Sequence, residues 1–468
     1  MERGSAVPPA APPWREVFRG PRGRLASGLL LLEAIAAIQY LVIATVMPDI
    51  RRDLGMVQLY GLAFTASSLA MLASIPIAGK ALDRFGPRRV LLQVLALMGC
   101  GLLISATAVA MPVLLAGQFV LGAGGGGLYA FSLGTVAKTF PERLRPRVLA
   151  LMATMWILPG LIGPPFAALI ASTVGWRWAF VAPIPLLLLG WALMAPSLDL
   201  VPPPEDNRTA LAPRWPLQLM LGAGLLFTSL TVIEWWAPIF TIAGFLIAWP
   251  ALRQIVVPGT FRAAAGIPAA GASAFLLSFG FIASDSFLTL MLTRVRGLSL
   301  AMASIALTAA TIMWSAGSAW QSGRTGGIAL SRLMQLGTAF IFLGEAAVFA
   351  TLWTAVPVPV AFVGWALVGL GMGIAFPVPS LATMQQSQAG EEGLQLSSVL
   401  LMDMVGVASG AGLGGGAVAL AAATHTSLAV GIGASYAMGL GALALLMITA
   451  ARLVARRTGD EQAPPQNF

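Results

Sequence analysis

Fourteen apolar segments of 17 to 28 residues make up most of this chain, and short polar stretches separate them. A hydrocarbon core about 30 Å thick requires about 20 mostly apolar residues in one helix, so each segment is long enough to span a bilayer. The segments are residues 27–48, 59–80, 89–110, 112–136, 147–172, 177–197, 216–233, 236–252, 265–292, 299–320, 330–353, 357–379, 396–420 and 427–451. The pattern predicts an all-α integral membrane protein with 14 transmembrane helices.

A polar, proline-rich stretch, DLVPPPEDNRTALAPR, interrupts this pattern after the sixth segment. The fourth segment contains LGAGGGGLYAF (121–131), and a similar string, VGLGMGIAFPV (368–378), lies in the fourth segment counted from residue 265. Membrane transporters often duplicate a six-helix unit. The predicted units are a six-helix bundle at 27–197, a linker at 198–215, an inserted helix pair at 216–252 and a second six-helix bundle at 265–451. If the inserted pair does not span the membrane, 12 transmembrane helices remain in the same orientation.

The composition excludes a water-soluble globular protein, because 58% of the residues are hydrophobic, 10% are charged and the mean hydropathy is +0.85. The net charge is +9, but the basic residues are spread between the apolar segments, which argues against nucleic-acid binding. With a cytoplasmic N-terminus, 22 basic residues face the cytoplasm and five lie in outer loops, as the positive-inside rule requires. We therefore predict cytoplasmic tails at 1–26 and 452–468 of a multi-pass protein of the bacterial inner (plasma) membrane.

No enzymatic chemistry is predicted. The single cysteine, Cys100, cannot build a disulfide framework or a cysteine-based metal site within one chain. No G-x-x-x-x-G-K-[ST] loop occurs, so the chain carries no such ATP-binding motif. GAGGGG (122–127) lies inside an apolar helix with no strand before it, which favours helix packing over dinucleotide binding. The prediction is therefore a protein without cofactor, metal or catalytic residues.

The most specific motif is GKALDRFGPRR (79–89), which follows the second segment. It resembles the loop between the second and third helices of the major facilitator superfamily. Glycines permit close helix approach and a tight turn, and an aspartate can accept hydrogen bonds from a helix N-terminus in the other half. The resemblance implies a conformational latch formed by Gly79, Asp83, Arg84, Gly86, Arg88 and Arg89. The corresponding loop of the second half, GSAWQSGRTGG (317–327), has Gln321 in place of the acid, so the latch is predicted to be asymmetric.

A second motif, PGLIGPPFAA (159–168), is similar to the antiporter signature in the fifth helix of this superfamily. It implies that Gly160, Gly163 and Pro164 pack at the interface between the bundles. The resemblance covers about residues 25 to 455 and is strongest to the fourteen-helix drug:proton antiporters. Two departures weaken it, since Gln118 and Gln39 stand where those antiporters carry charged residues.

Four acids lie inside predicted helices, where a charged group costs at least about 2.5 to 3.5 kcal/mol. They are Glu33, Asp285, Glu345 and Asp403, and we predict them as candidates for proton coupling. The resemblance implies that the helices of Glu33 and Asp285 line a central cavity, and Asp285 shares a helical face with Ser278 and Thr289. Asp285 is the preferred candidate. Weaker candidates for substrate contact are Tyr40, Gln39, Gln118 and Tyr129. An alternative for each acid is a structural pairing with an arginine or a helix terminus.

These features predict a monomeric secondary transporter whose partners are the lipid bilayer, a small-molecule substrate and protons. The first hypothesis is export of a small amphipathic or drug-like compound in exchange for protons by alternating access. Gln39 and Gln118 keep open an uncoupled or lipid-handling facilitator of the same fold. A third alternative is a sensor or assembly protein that does not transport, which the intact loop at 79–89 disfavours.

Overall fold

A computed structural model describes residues 14–54, 60–155, 166, 167, 169–201, 214–230, 236–325, 328–388 and 391–453. The regular structure of these residues is helical. The first half contains α1 (Gly20–Leu54), α2 (Tyr60–Phe85), α3 (Pro87–Ala106), α4 (Met111–Thr139), α5 (Arg145–Thr154), α6 (Trp176–Val181) and α7 (Ile184–Met194). The inserted pair is α8 (Arg214–Leu230) and α9 (Ala237–Ile255). The second half contains α10 (Ile267–Leu290), α11 (Leu300–Ser322), α12 (Leu330–Ala350), α13 (Pro359–Ala375), α14 (Val378–Gln386), α15 (Glu392–Ala423) and α16 (Leu428–Thr449).

Every predicted apolar segment overlaps a helix of this structure. Within the described residues, nine helical stretches are long and apolar enough to cross a membrane, and α9 of the inserted pair is one of them. The number of helices that cross stays a prediction. Prolines mark several helix starts, because a proline in the first turn removes only an N–H that has no partner there. Pro87 and Pro359 begin α3 and α13 in this way.

The helices pack in two groups that correspond to the two halves of the sequence. In the first half, α4 packs against α2 and α3, and α1 packs against α7. In the second half, α13 packs against α11 and α12, and α10 packs against α15 and α16. Contacts between the halves occur mainly along two seams. One seam joins α2 to α15, and the other joins α5 to α11. The second helix of each half therefore meets the fifth helix of the other half.

The glycines of the internal repeat make equivalent contacts in the two halves. A side chain at Gly122 of α4 would clash with the backbone of Ser67 on α2, and one at Gly369 of α13 would clash with Ala310 on α11. Two residues later, Gly124 packs against α3 and Gly371 packs against α12. In each half, one glycine of the repeat thus lies where the fourth helix meets the second helix, and another lies where it meets the third helix, both at backbone distance.

The inserted pair is an antiparallel hairpin that lies against the α2–α15 seam. Gly222 of α8 packs on Ala248 of α9, and Gly244 of α9 packs on Leu226 of α8. A separate apolar cluster then joins the hairpin to both halves, with Leu219 and Leu252 from the hairpin, Leu72 from α2 and Leu401 from α15. The opposite face of α9 is exposed and apolar, with Ile239, Ile242 and Leu246 each about 60% exposed. Such a face is typical of a helix in contact with lipid.

The repeat contacts generate a matched pair of variants on one helix. The Cβ of Gly122→Ala would lie 2.2 Å from the Ser67 carbonyl oxygen, whereas the Cβ of Gly125→Ala would have no heavy atom within 4 Å. Overpacking typically destabilises by about 1–3 kcal/mol. We expect G122A to lower the thermal unfolding midpoint of the detergent-solubilised protein and G125A to leave it nearly unchanged. Equal midpoints for both variants would contradict the close packing of α2 on α4.

Candidate functional site

Asp83 lies at the C-terminal end of α2 and reaches the N-terminus of α15 in the other half. Its Oδ1 accepts a hydrogen bond from the Gly393 N–H at 3.1 Å, and its Oδ2 accepts one from the Leu394 N–H at 2.8 Å. The first N–H groups of a helix have no partner within the helix and carry a partial positive charge, so a carboxylate is a favourable partner for them. This end of the molecule is called the latch end below.

A buried lysine completes the contact. Lys138 Nζ, at the end of α4, lies 2.9 Å from Asp83 Oδ1 and 3.5 Å from Glu392 Oε2, and its side chain is only 7% exposed. Gly79 permits the approach, because a side chain there would lie 2.2 Å from Ser397 Oγ. Lys138 thus holds one acid from each half, and sequence reasoning missed it because a single lysine at a helix end resembles a positive-inside residue.

The other residues of the predicted latch have different positions. Gly86 has a φ of +76°, which the tight turn between α2 and α3 requires and which a side chain would strain. Arg84, Arg88 and Arg89 are exposed. The Arg84 guanidinium lies 5.2 Å from the centre of the Phe85 ring. Of the six predicted latch residues, the structure therefore places Gly79 and Asp83 against the other half, while Gly86 shapes the loop.

The second seam has no acid equivalent to Asp83. Gln321, at the corresponding position, donates to Thr325 Oγ1 within its own loop at 3.0 Å. Arg145, at the start of α5, instead crosses to the other half and donates to the Met384 carbonyl oxygen of α14 at 2.8 Å. Its guanidinium also donates to two carbonyl oxygens of its own half. The two seams are therefore closed by different chemistry at the latch end.

A small pocket of about 10 Å³ lies between the halves. It is lined by Tyr129, Ala274, Leu277, Ser278, Phe376, Pro379, Ser380, Val399, Leu400 and Asp403. Tyr129 and Phe376 occupy equivalent positions of the internal repeat, LGAGGGGLYAF and VGLGMGIAFPV. A space of this size holds about one water molecule, so the pocket is nearly closed in this conformation.

Asp403 of α15 is the polar centre of this pocket and is 6% exposed. Ser278 of α10 donates a hydrogen bond to its Oδ1. The Tyr129 hydroxyl of α4, which belongs to the first half, lies beside the Asp403 carboxylate and lines the same pocket. Glu33 of α1 is buried and interacts electrostatically with Tyr129. Tyr129 of the first half and Asp403 of the second half thus meet at this pocket.

The other two predicted acids form a separate group in the second half. Glu345 of α12 is fully buried, and Asp285 of α10 interacts with it electrostatically. Ser284 of α10 and Tyr436 of α16 are buried beside them. Asp285 is partly exposed and makes no hydrogen bond or ion pair with a described residue. Its predicted partner by helical face, Ser278, is bound to Asp403 instead.

Comparison with known proteins agrees with this architecture. The sequence profile described as Major Facilitator Superfamily matches residues 29–411. The chain belongs to the Major Facilitator Superfamily. It is 26% identical over 421 residues to a probable multidrug-efflux transporter of Mycobacterium tuberculosis, with 85% of this chain and 88% of that protein covered.

Solved structures of this superfamily share the fold. The human organic anion transporter MFSD10 superposes with a TM-score of 0.68 at 15% identity, covering 94% of this chain and all of that chain. The proton:xylose symporter XylE superposes with a TM-score of 0.67 at 14% identity, covering 92% of this chain and 95% of that chain. The protein is therefore a multi-pass membrane transporter of this superfamily and not an enzyme.

The remaining predicted site residues are Gln118, Gln39, Tyr40 and the motif with Gly160, Gly163 and Pro164. Gln118 is turned towards α3, where its side-chain amide donates to Ser105 Oγ at 3.0 Å, and it does not line the pocket between the halves. Gln39 is 6% exposed, and its amide atoms have no hydrogen-bond partner among the described residues. The side chain of Tyr40 and residues Gly160, Gly163 and Pro164 lie outside the described residues.

The latch geometry predicts the exchange behaviour of two backbone amides. In Asp83→Ala, the N–H groups of Gly393 and Leu394 lose their acceptor. A hydrogen bond to a charged group contributes about 1.5–3 kcal/mol, so we expect their hydrogen–deuterium exchange to accelerate at least about tenfold. The measurement is hydrogen exchange by mass spectrometry on the peptide that begins α15.

A matched control is Asp53→Ala, since Asp53 pairs with Trp176 and Arg177 at the opposite end of the first half. We expect D53A to leave exchange in the α15 peptide unchanged. Unchanged exchange in D83A would show that Asp83 does not hold the latch end closed.

Proposed function

We propose that this transporter exports a small amphipathic or drug-like compound in exchange for protons, by alternating access of a cavity between its two halves. The similarity over most of its length to a protein named as a probable multidrug-efflux transporter supports the substrate class. The shared fold supports alternating access, which rocks two bundles around a central site.

The observation that carries proton coupling is the bridge from Asp403 to both halves. Its carboxylate accepts a hydrogen bond from Ser278 of its own half and lies beside the Tyr129 hydroxyl of the other half. When the halves move apart at this level, Tyr129 is withdrawn and water can replace it. The balance between the charged and protonated forms of a buried carboxyl group depends on its hydrogen bonds and hydration. Movement of the halves therefore changes the proton affinity of Asp403, which is the requirement for coupling.

Glu33 extends this bridge on the other side of Tyr129. It lies in α1, is buried and interacts electrostatically with Tyr129. In our proposal Asp403 binds the transported proton and Glu33 tunes the tyrosine between them. One proton that moves down a potential of 100 mV supplies about 2.3 kcal/mol, which corresponds to a substrate gradient of more than about tenfold.

The latch would determine which face opens. We place the latch end at the cytoplasmic face with both tails in the cytoplasm, as the distribution of arginine predicts, and we propose a monomer in the plasma membrane. Opening towards the cytoplasm must then break the Asp83 contacts with Gly393, Leu394 and Lys138. Substrate or proton binding at the central pocket supplies the free energy for that step.

We predict that Asp403→Asn abolishes proton-driven export. Asparagine keeps the size of the side chain but cannot carry a proton in exchange. In proteoliposomes with an imposed pH gradient, D403N should lower the steady-state gradient of a lipophilic cation such as ethidium by more than about tenfold, because one coupled proton is lost. D53N, an acid outside the pocket that pairs with Arg177, is the control and should transport like wild type.

The same assay separates the remaining candidates. We expect Tyr129→Phe to weaken coupling less than D403N, because the carboxyl group remains. Asp285→Asn and Glu33→Gln test the acids preferred from the sequence. If D403N, D285N and E33Q all retain full pH-driven flux, proton coupling by these acids is wrong. If wild-type flux ignores the pH gradient, the uncoupled facilitator is the correct function.

A further inference from the structure

Three helices of the second half bury a polar cluster that the pocket between the halves does not use. Glu345 on α12, Ser284 on α10 and Tyr436 on α16 are each 0% exposed. Both Glu345 carboxylate oxygens, Ser284 Oγ and the Tyr436 hydroxyl oxygen lack a hydrogen bond of normal geometry to any described residue. Buried polar atoms almost always have partners, so four such atoms in one place indicate a site and not a packing accident.

The backbone brings these groups together at close range. A side chain at Gly439 of α16 would lie 3.3 Å from Glu345 Oε2, 3.3 Å from Ser284 Oγ and 2.8 Å from the Gly280 carbonyl oxygen. The carboxyl group and the serine hydroxyl therefore face the same small volume beside Gly439. Along α10, Ser284 is about 9 Å from Ser278, so this cluster is separate from the one at Asp403.

No cation faces Glu345 from the helices that pack against it. α10 contributes Asp285, which opposes a second negative charge, α16 contributes the neutral Tyr436, and α13 and α14 contain no charged residue. On α12 itself, Arg332 lies 13 residues away, about 20 Å along the helix. Arg452, in the turn after α16, bonds to carbonyl oxygens of Arg262 and Ala263.

An ionised carboxylate in this surrounding would be both desolvated and unpaired, which costs several kcal/mol or more. A protonated carboxyl group needs no counter-ion. Its O–H can donate to the Ser284 or Tyr436 oxygen, and a hydroxyl can donate to its carbonyl oxygen. The three side chains thus match the hydrogen-bonding capacity of a neutral acid.

We propose that Glu345, with Ser284 and Tyr436, is a second proton-binding site of the transporter, which exchanges its proton through Asp285. Asp285 directly follows Ser284 and is partly exposed, so it is placed between the buried acid and the space outside the cluster. Asp285 interacts electrostatically with Glu345, and carboxyl groups that interact strongly titrate as a pair. The inference deepens the proposed function and rests on it only for the use of the proton, since the site itself can be tested without transport.

The test is infrared difference spectroscopy of the purified full-length protein between about pH 6 and about pH 9. An exposed glutamate has a pKa of about 4.3 and stays ionised over this range, so the C=O stretch of protonated carboxyl groups reports only unusual sites. We expect wild type to gain this band at the lower pH and E345Q to lose a component equal to about one carboxyl group. Glu142→Gln, at an exposed loop, is the control and should match wild type.

Superimposable spectra of wild type and E345Q would overturn the proposal, because Glu345 would then be permanently neutral or permanently ionised. If replacing choline chloride with sodium chloride removes the Glu345 component, the oxygens hold a metal cation and the proton assignment is wrong. Should E345Q fail to fold, Tyr436→Phe keeps the ring and removes one hydroxyl, and it must shift the frequency of the same component. Loss of the component in E345Q together with wild-type flux that ignores a pH gradient would keep the site and reject proton-driven export.

Discussion

A carboxyl group inside a bundle of apolar helices must be paired or neutral, and three of the buried acids, Asp83, Asp403 and Glu345, differ in how many polar partners they have. Asp83 has a lysine and two helix N–H groups. Asp403 has two hydroxyl groups, one from each half. Glu345 has no hydrogen bond of normal geometry among the described residues. Because pairing stabilises the charged form and isolation stabilises the neutral form, the three sites differ in how readily a proton binds.

This difference separates an acid that holds two helices together, Asp83, from the acids proposed to bind a proton, Asp403 and Glu345. Asp83 pairs with Lys138 and two helix N–H groups, so it can act as a clamp whose strength depends on the distance between α2 and α15. In the proposed mechanism, the protonation of Asp403 follows the relative position of the halves, because Tyr129 belongs to the other half. The glycine contacts within each half, such as Gly122 on Ser67 and Gly369 on Ala310, leave little room for internal motion. The seams between the halves carry the hydrogen bonds of Asp83 and Arg145 together with close packing at Gly79 and the apolar cluster of the hairpin.

Much of the fold was predictable from the sequence, because a helix in hydrocarbon needs a long apolar run and such runs are easy to find. The motif also predicts that Asp83 contacts a helix N-terminus in the other half, but it does not identify Gly393 and Leu394 as its partners. The sequence favours Asp285, but periodicity gives the faces of one helix and not its rotation relative to its neighbours, so it could not show that Asp403 lines the pocket. Ser278 shares a face with Asp285 in sequence, yet it binds Asp403 across the helix interface.

The repeat explains why the chemistry of the two halves had to diverge. Equivalent glycines build the same scaffold twice, but Tyr129 corresponds to Phe376 and Asp83 corresponds to Gln321. If both repeats carried a tyrosine, Asp403 would have two similar partners in the pocket. If both carried the acid, the helix N-termini at both seams would be bound in the same way. With one tyrosine in the repeat, Tyr129 is the polar side chain of the repeat beside Asp403, and with one acid, the Asp83 carboxylate holds the α2–α15 seam. Arg145 on α5 makes its polar contact beside the other seam, through a backbone carbonyl of α14, and this contact does not depend on the protonation of any acid. In the proposed mechanism, proton binding acts on one seam while the other serves as the pivot.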